Sequence, residues 1–212
     1  LREELIAAGH TFTTKSDTEV LLHGYEQWGV DLLQRVRGMF TFVIWDKNKQ
    51  ELFGARDHFG IKPFYYAKMN GTFMYASEIK SLLRHPDFVK ELNAEALKPY
   101  MTFQYPAIGE TFFKGVYKLP EGHYFTYRDG KMDIHRYYDE DFREGKQKLG
   151  ELVNSIDQTV CDSVKAHQIA DVEVGSFLSS GVDSSYVAAV ARPQHTYSIG
   201  FGKGTYNESQ QA

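Results

Sequence analysis

One stretch of the sequence decides the fold: Gly175-Ser176-Phe177-Leu178-Ser179-Ser180-Gly181-Val182-Asp183-Ser184-Ser185. The apolar run that leads into it, residues 172–178, is typical of a short buried strand. The segment that follows, Tyr186-Val187-Ala188-Ala189-Val190-Ala191, is typical of a helix. A strand, a loop of small residues and a helix in this order are characteristic of a parallel sheet covered by helices. The sequence therefore predicts an α/β domain around this loop.

The loop between this strand and this helix is suited to a phosphate group. Its residues are small, so several backbone N–H groups at the helix start are expected to lack partners, and the helix dipole adds positive charge there. Ser179, Ser184 and Ser185 add hydroxyl donors. The carboxylate of Asp183 would repel a phosphate unless a divalent cation stood between them. We therefore predict a nucleotide with its Mg²⁺, held by Asp183. The alternative is an ordinary helix with Ser and Asp as its capping residues.

Composition argues against several classes of function. The chain has 212 residues, a formal net charge of −4 and one cysteine. An acidic chain gives no electrostatic reason to expect nucleic acid or an anionic membrane as a partner. One cysteine cannot form an internal disulfide framework, and no apolar run approaches the ~20 residues of a membrane span. We therefore predict a soluble, cytoplasmic protein that binds neither nucleic acid nor membrane.

The residues before position 140 are expected to form antiparallel sheets together with helices. Ser16 precedes a helix whose apolar residues continue at helical spacing to Trp28, and Asn93 caps a helix that ends near Phe103. Turn residues separate a series of predicted strands, at 11–13, 39–45, 51–56, 62–67, 72–76, 116–119, 123–127 and 132–135. This part is therefore predicted to be of the α+β class.

A charged segment, residues 139–146, lacks a periodic apolar face and predicts a domain boundary. We divide the chain into residues 1–140 and residues 141–212. The second part begins with a long amphipathic helix at 149–164, and Cys161 beside its apolar stripe is expected to be a core residue. The histidines show no His-x-His or His-x-x-x-His spacing, which argues against a zinc site.

Several stretches in sequence order carry a resemblance to a known family. They are Ser16-Asp17-Thr18-Glu19-Val20, Gly38-Met39-Phe40-Thr41-Phe42, residues 55–66, residues 76–82, Leu119-Pro120-Glu121-Gly122-His123 and the loop near position 180. Together they resemble the glutamine-dependent asparagine synthetases. The loop itself resembles the Ser-Gly-Gly-x-Asp-Ser-Ser loop of ATP pyrophosphatases, with Ser180 in the place of the first glycine. If that position needs a positive φ, serine costs about 1 kcal/mol or more.

The resemblance implies a class II glutaminase domain of the Ntn-hydrolase fold, with antiparallel sheets between helices, followed by the start of a parallel-sheet ATP pyrophosphatase domain. It implies the conversion of aspartate to asparagine through an aspartyl-adenylate, with ammonia from glutamine and with ATP and Mg²⁺. By motif match the ATP-binding residues are Leu178, Ser179, Ser180, Gly181, Asp183, Ser184, Ser185 and Ile199, with Asp183 as the metal ligand. Leu178 and Ile199 would contact adenine; the alternative for both is the core of the sheet.

Asp17 is the residue that the resemblance assigns to glutamine. A carboxylate at the start of a helix would hold the α-amino group of the amino acid by a charge-assisted hydrogen bond. The alternative is a plain N-cap. Arg56, Asp57 and Glu78 are instead expected to fix local structure, and a role in docking the two domains of the family is left open.

The two ends of the sequence depart from the family pattern. No cysteine stands at the start, so no catalytic nucleophile is visible, and the sequence stops soon after a strand expected at 196–201. We read the sequence as an internal fragment, which alone should not hydrolyse glutamine. The oligomeric state is left open, with a homodimer as one expectation. Two alternatives for function also remain. One is an amidotransferase or β-lactam-forming relative that acts on another carboxylate, and the other is a degenerate, non-catalytic binding module.

Overall fold

Two antiparallel sheets form the centre of the first of two units into which the chain divides, Leu1–Asp141. The computed structural model describes residues 1–105 and 107–200. The strands of this unit are β1 (Thr41–Asp46), β2 (Glu51–Arg56), β3 (Tyr65–Met69), β4 (Thr72–Ala76), β5 (Val116–Lys118), β6 (His123–Arg128) and β7 (Lys131–Arg136). The first sheet has the order β1-β2-β6-β7 and the second has the order β4-β3-β5. All neighbours are antiparallel, which confirms the antiparallel sheets expected for this part of the chain.

Four α-helices are described in this unit, and of these only α2 begins after a residue whose side chain caps it. They are α1 (Arg2–Ala7), α2 (Asp17–Trp28), α3 (Ile79–Leu82) and α4 (Leu97–Phe103), with 3₁₀ segments at Gly29–Gln34 and Ala94–Ala96. Ser16 accepts a hydrogen bond from the N–H of Thr18, and the Asn93 side chain accepts one from the N–H of Glu95. Each bond satisfies an N–H group that has no partner within its helix.

Alternation of apolar residues along the strands places the two sheets face to face, with helical segments on the outer face of each. Outside the first sheet, Leu32 and Leu33 of the 3₁₀ segment pack against Phe53 of β2. Between the sheets, the rings of Phe64 and Phe125 lie 5.4 Å apart. The outer face of the second sheet packs against α3, in a cluster of Ala67, Met74, Leu82 and Val116.

The second unit begins at Phe142 and contains one parallel strand pair. Its elements are α5 (Leu149–His167), β8 (Ser176–Phe177), α6 (Val182–Ala191) and β9 (Thr196–Tyr197). Helices α5 and α6 are joined by hydrogen bonds from the Tyr186 hydroxyl to Asp157 and from Gln168 Nε2 to the Ala191 carbonyl oxygen at 2.7 Å. A strand–loop–helix–strand unit with parallel strands agrees with the order of elements that the sequence predicts. Assignment of the whole unit to an ATP pyrophosphatase domain stays a prediction.

Two strand predictions are wrong. Residues 11–13 form no strand, and the N–H groups of Thr13 and of the next residue, Thr14, bond to the side chain of Glu19 instead of to a neighbouring strand. The run 172–178 forms only the two-residue strand β8, and it is not buried, since Val172 and Phe177 are each 77% exposed. In the described part of the chain β8 has a single neighbouring strand, β9, so one edge of the pair is unpaired.

Helix α5 confirms the amphipathic helix but not the burial expected for its stripe. Val164 is buried, whereas Leu149 is 77% and Ile156 is 52% exposed. Cys161 is half-buried and its Sγ lies 4.0 Å from Asp157 Oδ1, so it is not the core residue that the sequence predicts. Asp157 is the first residue of α5 that forms a hydrogen bond to α6. In the described part of the chain, no hydrogen bond to α6 involves the first half of α5.

Within the described residues, none of the helices combines the length and the apolar composition that a membrane span requires. The expected strand at 196–201 is described to Gly200 and is a strand only at Thr196–Tyr197; its last residue, Phe201, lies outside the described residues.

Candidate functional sites

The start of α2 carries the carboxylate that is predicted to hold glutamine. Asp17 is the first residue of the helix, and Ser16 Oγ, one residue earlier, accepts a hydrogen bond from the Thr18 N–H at 3.1 Å. The Asp17 side chain is exposed, with Oδ1 3.4 Å from Ser16 Oγ. The capping role therefore belongs to Ser16, and Asp17 presents its carboxylate to solvent at the positive end of the helix dipole. Its contact with glutamine stays a prediction.

Glu19 fastens the segment that precedes α2. One of its carboxylate oxygens accepts from the N–H of Thr13 at 2.7 Å and from the hydroxyl of Thr13 at 3.0 Å. The other accepts from the N–H of Thr14 at 2.7 Å and from the hydroxyl of Thr14. These bonds, of which the one from the Thr13 N–H is the strongest influence, lower the pKa of Glu19 to about 2. The sequence indicated Glu19 only as a helix-start residue and did not show this role.

A buried charged pair shapes the loop that follows β2. Arg56 is 2% and Asp57 is 1% exposed. Arg56 donates hydrogen bonds to three carbonyl oxygens, those of Gly60, Lys62 and Leu119. Asp57 accepts hydrogen bonds from three backbone N–H groups, those of Phe59, Ile61 and Lys62. Burial lowers the pKa of the Arg56 guanidinium. Both side chains are engaged with backbone, which agrees with the structural role expected for them.

Glu78 lies directly before α3 and is exposed. It forms an ion pair with Lys80 and makes no side-chain cap. This contact is local and at the surface, as expected for a residue that fixes structure rather than performs chemistry.

The second candidate site lies at the carboxyl ends of the two parallel strands. Ser176 pairs with Thr196 and Phe177 with Tyr197, so both strands end at the same edge. Directly beyond the strands, the N–H of Leu178 donates to the Tyr197 carbonyl oxygen at 2.9 Å. The Ser198 hydroxyl donates to the Leu178 carbonyl oxygen at 2.7 Å. The loop of residues 178–181 leaves this edge and ends at α6, which is the place where open α/β sheets bind ligands.

Backbone N–H groups at this loop are available to a ligand. The N–H of Ser179 donates to Ser184 Oγ and the N–H of Gly181 donates to Ser179 Oγ. Four further N–H groups find no acceptor in the described part of the chain, those of Ser180, Val182, Asp183 and Ser184. Ser180 does not have a positive φ, so serine in the place of a glycine introduces no left-handed strain.

The Asp183 carboxylate is exposed in the first turn of α6 and makes no hydrogen bond or ion pair with the described part of the chain. A free carboxylate oxygen is the type of ligand that Mg²⁺ prefers, so this residue fits the predicted metal. The hydroxyls behave differently, because Ser184 and Ser185 both donate to the Gly181 carbonyl oxygen, at 3.1 Å and 2.9 Å. The amides and Asp183, rather than these hydroxyls, are therefore the groups that are free to meet a ligand.

Leu178 and Ile199 lie next to the loop, at the ends of the two strands. Leu178 is half-buried, and Ile199 is 71% exposed. A place in the core of the sheet was the alternative to a contact with adenine. Within the described part of the chain, Ile199 does not lie in that core. The adenine contact stays a prediction for both residues.

One group of polar side chains is missed by the sequence patterns. His10, His23 and Glu26 come together in the first unit, although the histidines have no metal-binding spacing. The signal is absent from the sequence because His10 belongs to the segment after α1, whereas the other two residues lie on α2.

Two family models match this chain. Residues 1–138 match the family described as glutamine amidotransferase domain, and residues 155–212 match the family described as asparagine synthase. The first match covers more than half of the chain. The chain therefore belongs to the glutamine amidotransferase domain family.

The relatives that are similar to the chain indicate which amidotransferases it resembles. Asparagine synthetase (glutamine-hydrolyzing) 1 of Bacillus subtilis (strain 168) is 43% identical over an alignment of 213 positions, which covers 98% of this chain and 34% of the relative. Asparagine synthetase (glutamine-hydrolyzing) 3 of the same organism is 36% identical over 95% of this chain and 34% of the relative. The resemblance predicted from the motifs is thus confirmed, and the chain spans about a third of the length of these curated relatives.

Solved structures were also compared. The glutamine phosphoribosylpyrophosphate amidotransferase from B. subtilis, complexed with ADP and GMP, matches with a TM-score of 0.44 and 19% identity, over 97% of this chain and 43% of that chain.

Proposed function

We propose that this chain is part of an ATP-dependent asparagine synthetase, which transfers ammonia from glutamine to the activated side-chain carboxylate of aspartate. The observation that carries the proposal is the presence, in one chain, of the two family matches together with a loop whose amides are free at the end of a parallel strand pair. The substrates would be glutamine, aspartate and ATP, the metal Mg²⁺, and the location the cytoplasm.

The glutaminase part of the proposal assigns one binding residue. Asp17 would hold the α-amino group of glutamine, since its carboxylate is exposed and the helix is capped by Ser16 instead. Glu19 would support this role indirectly, because its four hydrogen bonds fix the segment of Thr13 and Thr14 beside the helix start.

The synthetase part assigns the loop to the phosphates of ATP. The free amides of Ser180, Val182, Asp183 and Ser184 would donate to phosphate oxygens, and Asp183 would hold the metal. When bound, Mg²⁺ neutralises charge on the departing pyrophosphate. Attack of the aspartate carboxylate on the α-phosphorus would release pyrophosphate and give an aspartyl-adenylate. Attack of ammonia on its acyl carbon would then form the amide and release AMP.

Two variants of the whole protein test the two parts separately. Asp183→Ala should lower asparagine formation by about 100-fold or more with either glutamine or ammonia as the nitrogen source, while glutamine hydrolysis continues. Asp17→Ala should raise the KM for glutamine by roughly 10–100-fold, as expected for a lost charge-assisted hydrogen bond, and should leave the ammonia-dependent rate unchanged. Asparagine, glutamate and AMP are measured by chromatography.

Asp171→Ala is the matched control for the loop variant, since it also removes an exposed carboxylate from the second unit. Calorimetric titration of ATP–Mg²⁺ into the protein gives an independent measurement. Equal affinity of wild type and Asp183→Ala would rule out the loop as the phosphate site. Turnover of ATP with a carboxylic acid other than aspartate would leave the loop assignment intact and identify a different acceptor.

A further inference from the structure

Two imidazoles and one carboxylate meet at the surface of the first unit. One donor atom from each of His10, His23 and Glu26 lies within 4.8 Å of the donor atoms of the other two. His23 and Glu26 are three residues apart on α2, so their side chains lie on the same face of the helix. His10 reaches this face from the segment that follows α1. The cluster therefore connects two parts of the chain that no regular backbone pairing joins.

The two Nδ1 atoms lie near the same carboxylate oxygen, and that of His23 is within hydrogen-bond distance of it. His23 Nδ1 lies 2.8 Å and His10 Nδ1 lies 3.7 Å from Glu26 Oε2. His10 Nε2 donates to Gln27 Oε1 at 2.9 Å, because an amide oxygen can only accept. In the neutral imidazole the His10 Nδ1 therefore carries a lone pair, which faces an anionic oxygen with no hydrogen between them. A cation placed among these three atoms would remove that repulsion.

On its far side the His10 ring is held by a hydrogen bond, and the His23 ring faces a carboxylate beyond hydrogen-bond distance. Gln27 fixes His10 through Nε2, and His23 Nε2 lies 3.8 Å from Glu19 Oε1. Glu19 in turn is fixed by Thr13 and Thr14. Such outer contacts orient the ring so that the other nitrogen is presented to the ion, and an acceptor on the far side makes that nitrogen a better ligand.

Burial divides the cluster into a fixed side and an accessible side. The side chains of His10 and His23 are each 18% exposed, and Glu26 is 53% exposed. The ring of Phe12 packs edge-on against the His23 ring at 4.9 Å, and the two imidazole rings are 4.9 Å apart. The imidazoles are thus held by packing, whereas an ion and its water ligands can enter beside the carboxylate.

We propose that His10 Nδ1, His23 Nδ1 and Glu26 Oε2 bind a divalent first-row transition-metal ion, best matched by Zn²⁺, with water as the fourth ligand. Two imidazole nitrogens and one carboxylate oxygen form a ligand set that suits this ion. Binding uses the lone pair of His23 Nδ1, so a neutral His23 moves its proton from Nδ1 to Nε2 by way of solvent, whereas an imidazolium releases its Nδ1 proton to solvent. The ion would cross-link the segment that contains His10 to α2, the helix that begins at Asp17.

The experiment uses the intact protein after dialysis against EDTA. Titration with Zn²⁺ is followed by calorimetry, and titration with Co²⁺ is followed by the visible d–d absorption of the bound ion. We expect one Zn²⁺ per chain, and a thermal midpoint that rises with Zn²⁺ and returns on addition of EDTA. His10→Gln, His23→Gln and Glu26→Gln should each weaken binding by at least tenfold. Gln27→Ala, which removes only an outer contact, should weaken it by about tenfold.

His85→Gln is the matched control, because His85 also faces a single carboxylate, Asp87, at 3.8 Å but has no third donor beside it among the described residues. Circular dichroism checks that each variant folds. Glu26→Gln is the variant least expected to disturb folding, because its position on the helix surface is half-exposed. Absence of stoichiometric binding by the wild type would overturn the proposal. Binding that is equally weakened by His85→Gln, or unchanged in all three ligand variants, would overturn it as well.

Discussion

Gly60 is the residue at which the loop after β2 tolerates a side chain least. Its φ is +61°, and an added Cβ would lie 2.8 Å from Arg56 Cζ. Arg56 cannot move away without losing its hydrogen bonds to three carbonyl oxygens. We expect Gly60→Ala to lower the free energy of unfolding by about 2–4 kcal/mol, from left-handed strain together with overpacking. Urea unfolding followed by tryptophan fluorescence measures this, since Trp28 and Trp45 both belong to the first unit.

Gly71→Ala separates the two causes. Gly71 also has a positive φ, +82°, but nothing lies within 4 Å of an added Cβ. The Gly71→Ala control should lower the free energy of unfolding by about 1–2 kcal/mol, which is the cost of the left-handed backbone alone. If both variants lowered the free energy of unfolding by the same amount, the contact between the added Cβ and Arg56 would not contribute to the loss.

Asp46 gives the turn between β1 and β2 a dependence on pH. Its Oδ1 accepts from the N–H groups of Lys49 and Asn48, at 3.0 Å and 2.9 Å. These bonds, chiefly the one from Lys49, hold the pKa of Asp46 below its usual value of 3.8. A lowered pKa in the folded state means that the stabilisation is present above the unfolded pKa and is lost as the pH falls through the folded pKa.

We therefore expect Asp46→Ala to lower stability by about 1–2 kcal/mol at pH 7, and we expect the difference from wild type to shrink as the pH falls below 4. Urea midpoints at a series of pH values between 2 and 7 measure both effects. Lys47→Ala, in the same turn, is the control and should show no such trend. A difference that stays constant down to pH 2 would contradict the role of the ionised carboxylate.

At the scale of elements, the closest approach is between β2 and β6. Gly54 pairs with Phe125, and a Cβ at Gly54 would lie 2.3 Å from Cε1 of the Phe125 ring. Gly54→Ala should therefore cost about 1–3 kcal/mol through overpacking of the space between the sheets. When Phe125→Leu is added to Gly54→Ala, part of the lost free energy of unfolding should be recovered. A double-mutant cycle, with each variant unfolded in urea, measures this coupling. Strictly additive losses would show that the ring is not the obstacle.

The elements also show why sequence patterns succeed in one place and fail in another. Short apolar strands joined by a turn of polar residues, such as β1 and β2, are predicted within a few residues, because these signals act locally. The strand predicted at 11–13 is wrong because the nearby side chain of Glu19 accepts from the N–H groups of Thr13 and Thr14, which a period-two pattern does not reveal. The run 172–178 fails because apolar composition does not reveal how many neighbours a strand will have.

The candidate sites, too, are predictable from the sequence only where they depend on residues that are close together in it. The loop near position 180 is recognisable because its function depends on consecutive residues, and Asp17 is recognisable by its motif. The cluster of His10, His23 and Glu26 is not, because tertiary packing brings a separate segment onto α2. The engagement of the Ser184 and Ser185 hydroxyls with Gly181 is equally invisible in the sequence, since it depends on side-chain rotamers.

At the scale of the whole molecule, the segment between the two units is exposed and irregular, and among the described residues it is the expected place of protease attack. The residues from 139 to 147 contain no helix or strand and are exposed. Brief treatment with trypsin should cut first after Lys146 or Arg143, and mass spectrometry should find fragments that end there. First cleavage after Lys68 or Lys118, which lie in strands of the second sheet, would contradict the division of the chain into Leu1–Asp141 and Phe142 onward.

The three carbonyl oxygens that meet at Arg56 also limit where the protein can be altered. Extra residues between 57 and 62 would move the carbonyl oxygens of Gly60 and Lys62 away from a guanidinium that is 2% exposed, and a lysine at position 56 could not reach all three oxygens. The exposed turn at Asp129 and Gly130 carries no comparable constraint on its side chains. A fluorophore or an affinity tag for work on this enzyme family therefore belongs at that turn, and length variation during evolution is expected there as well.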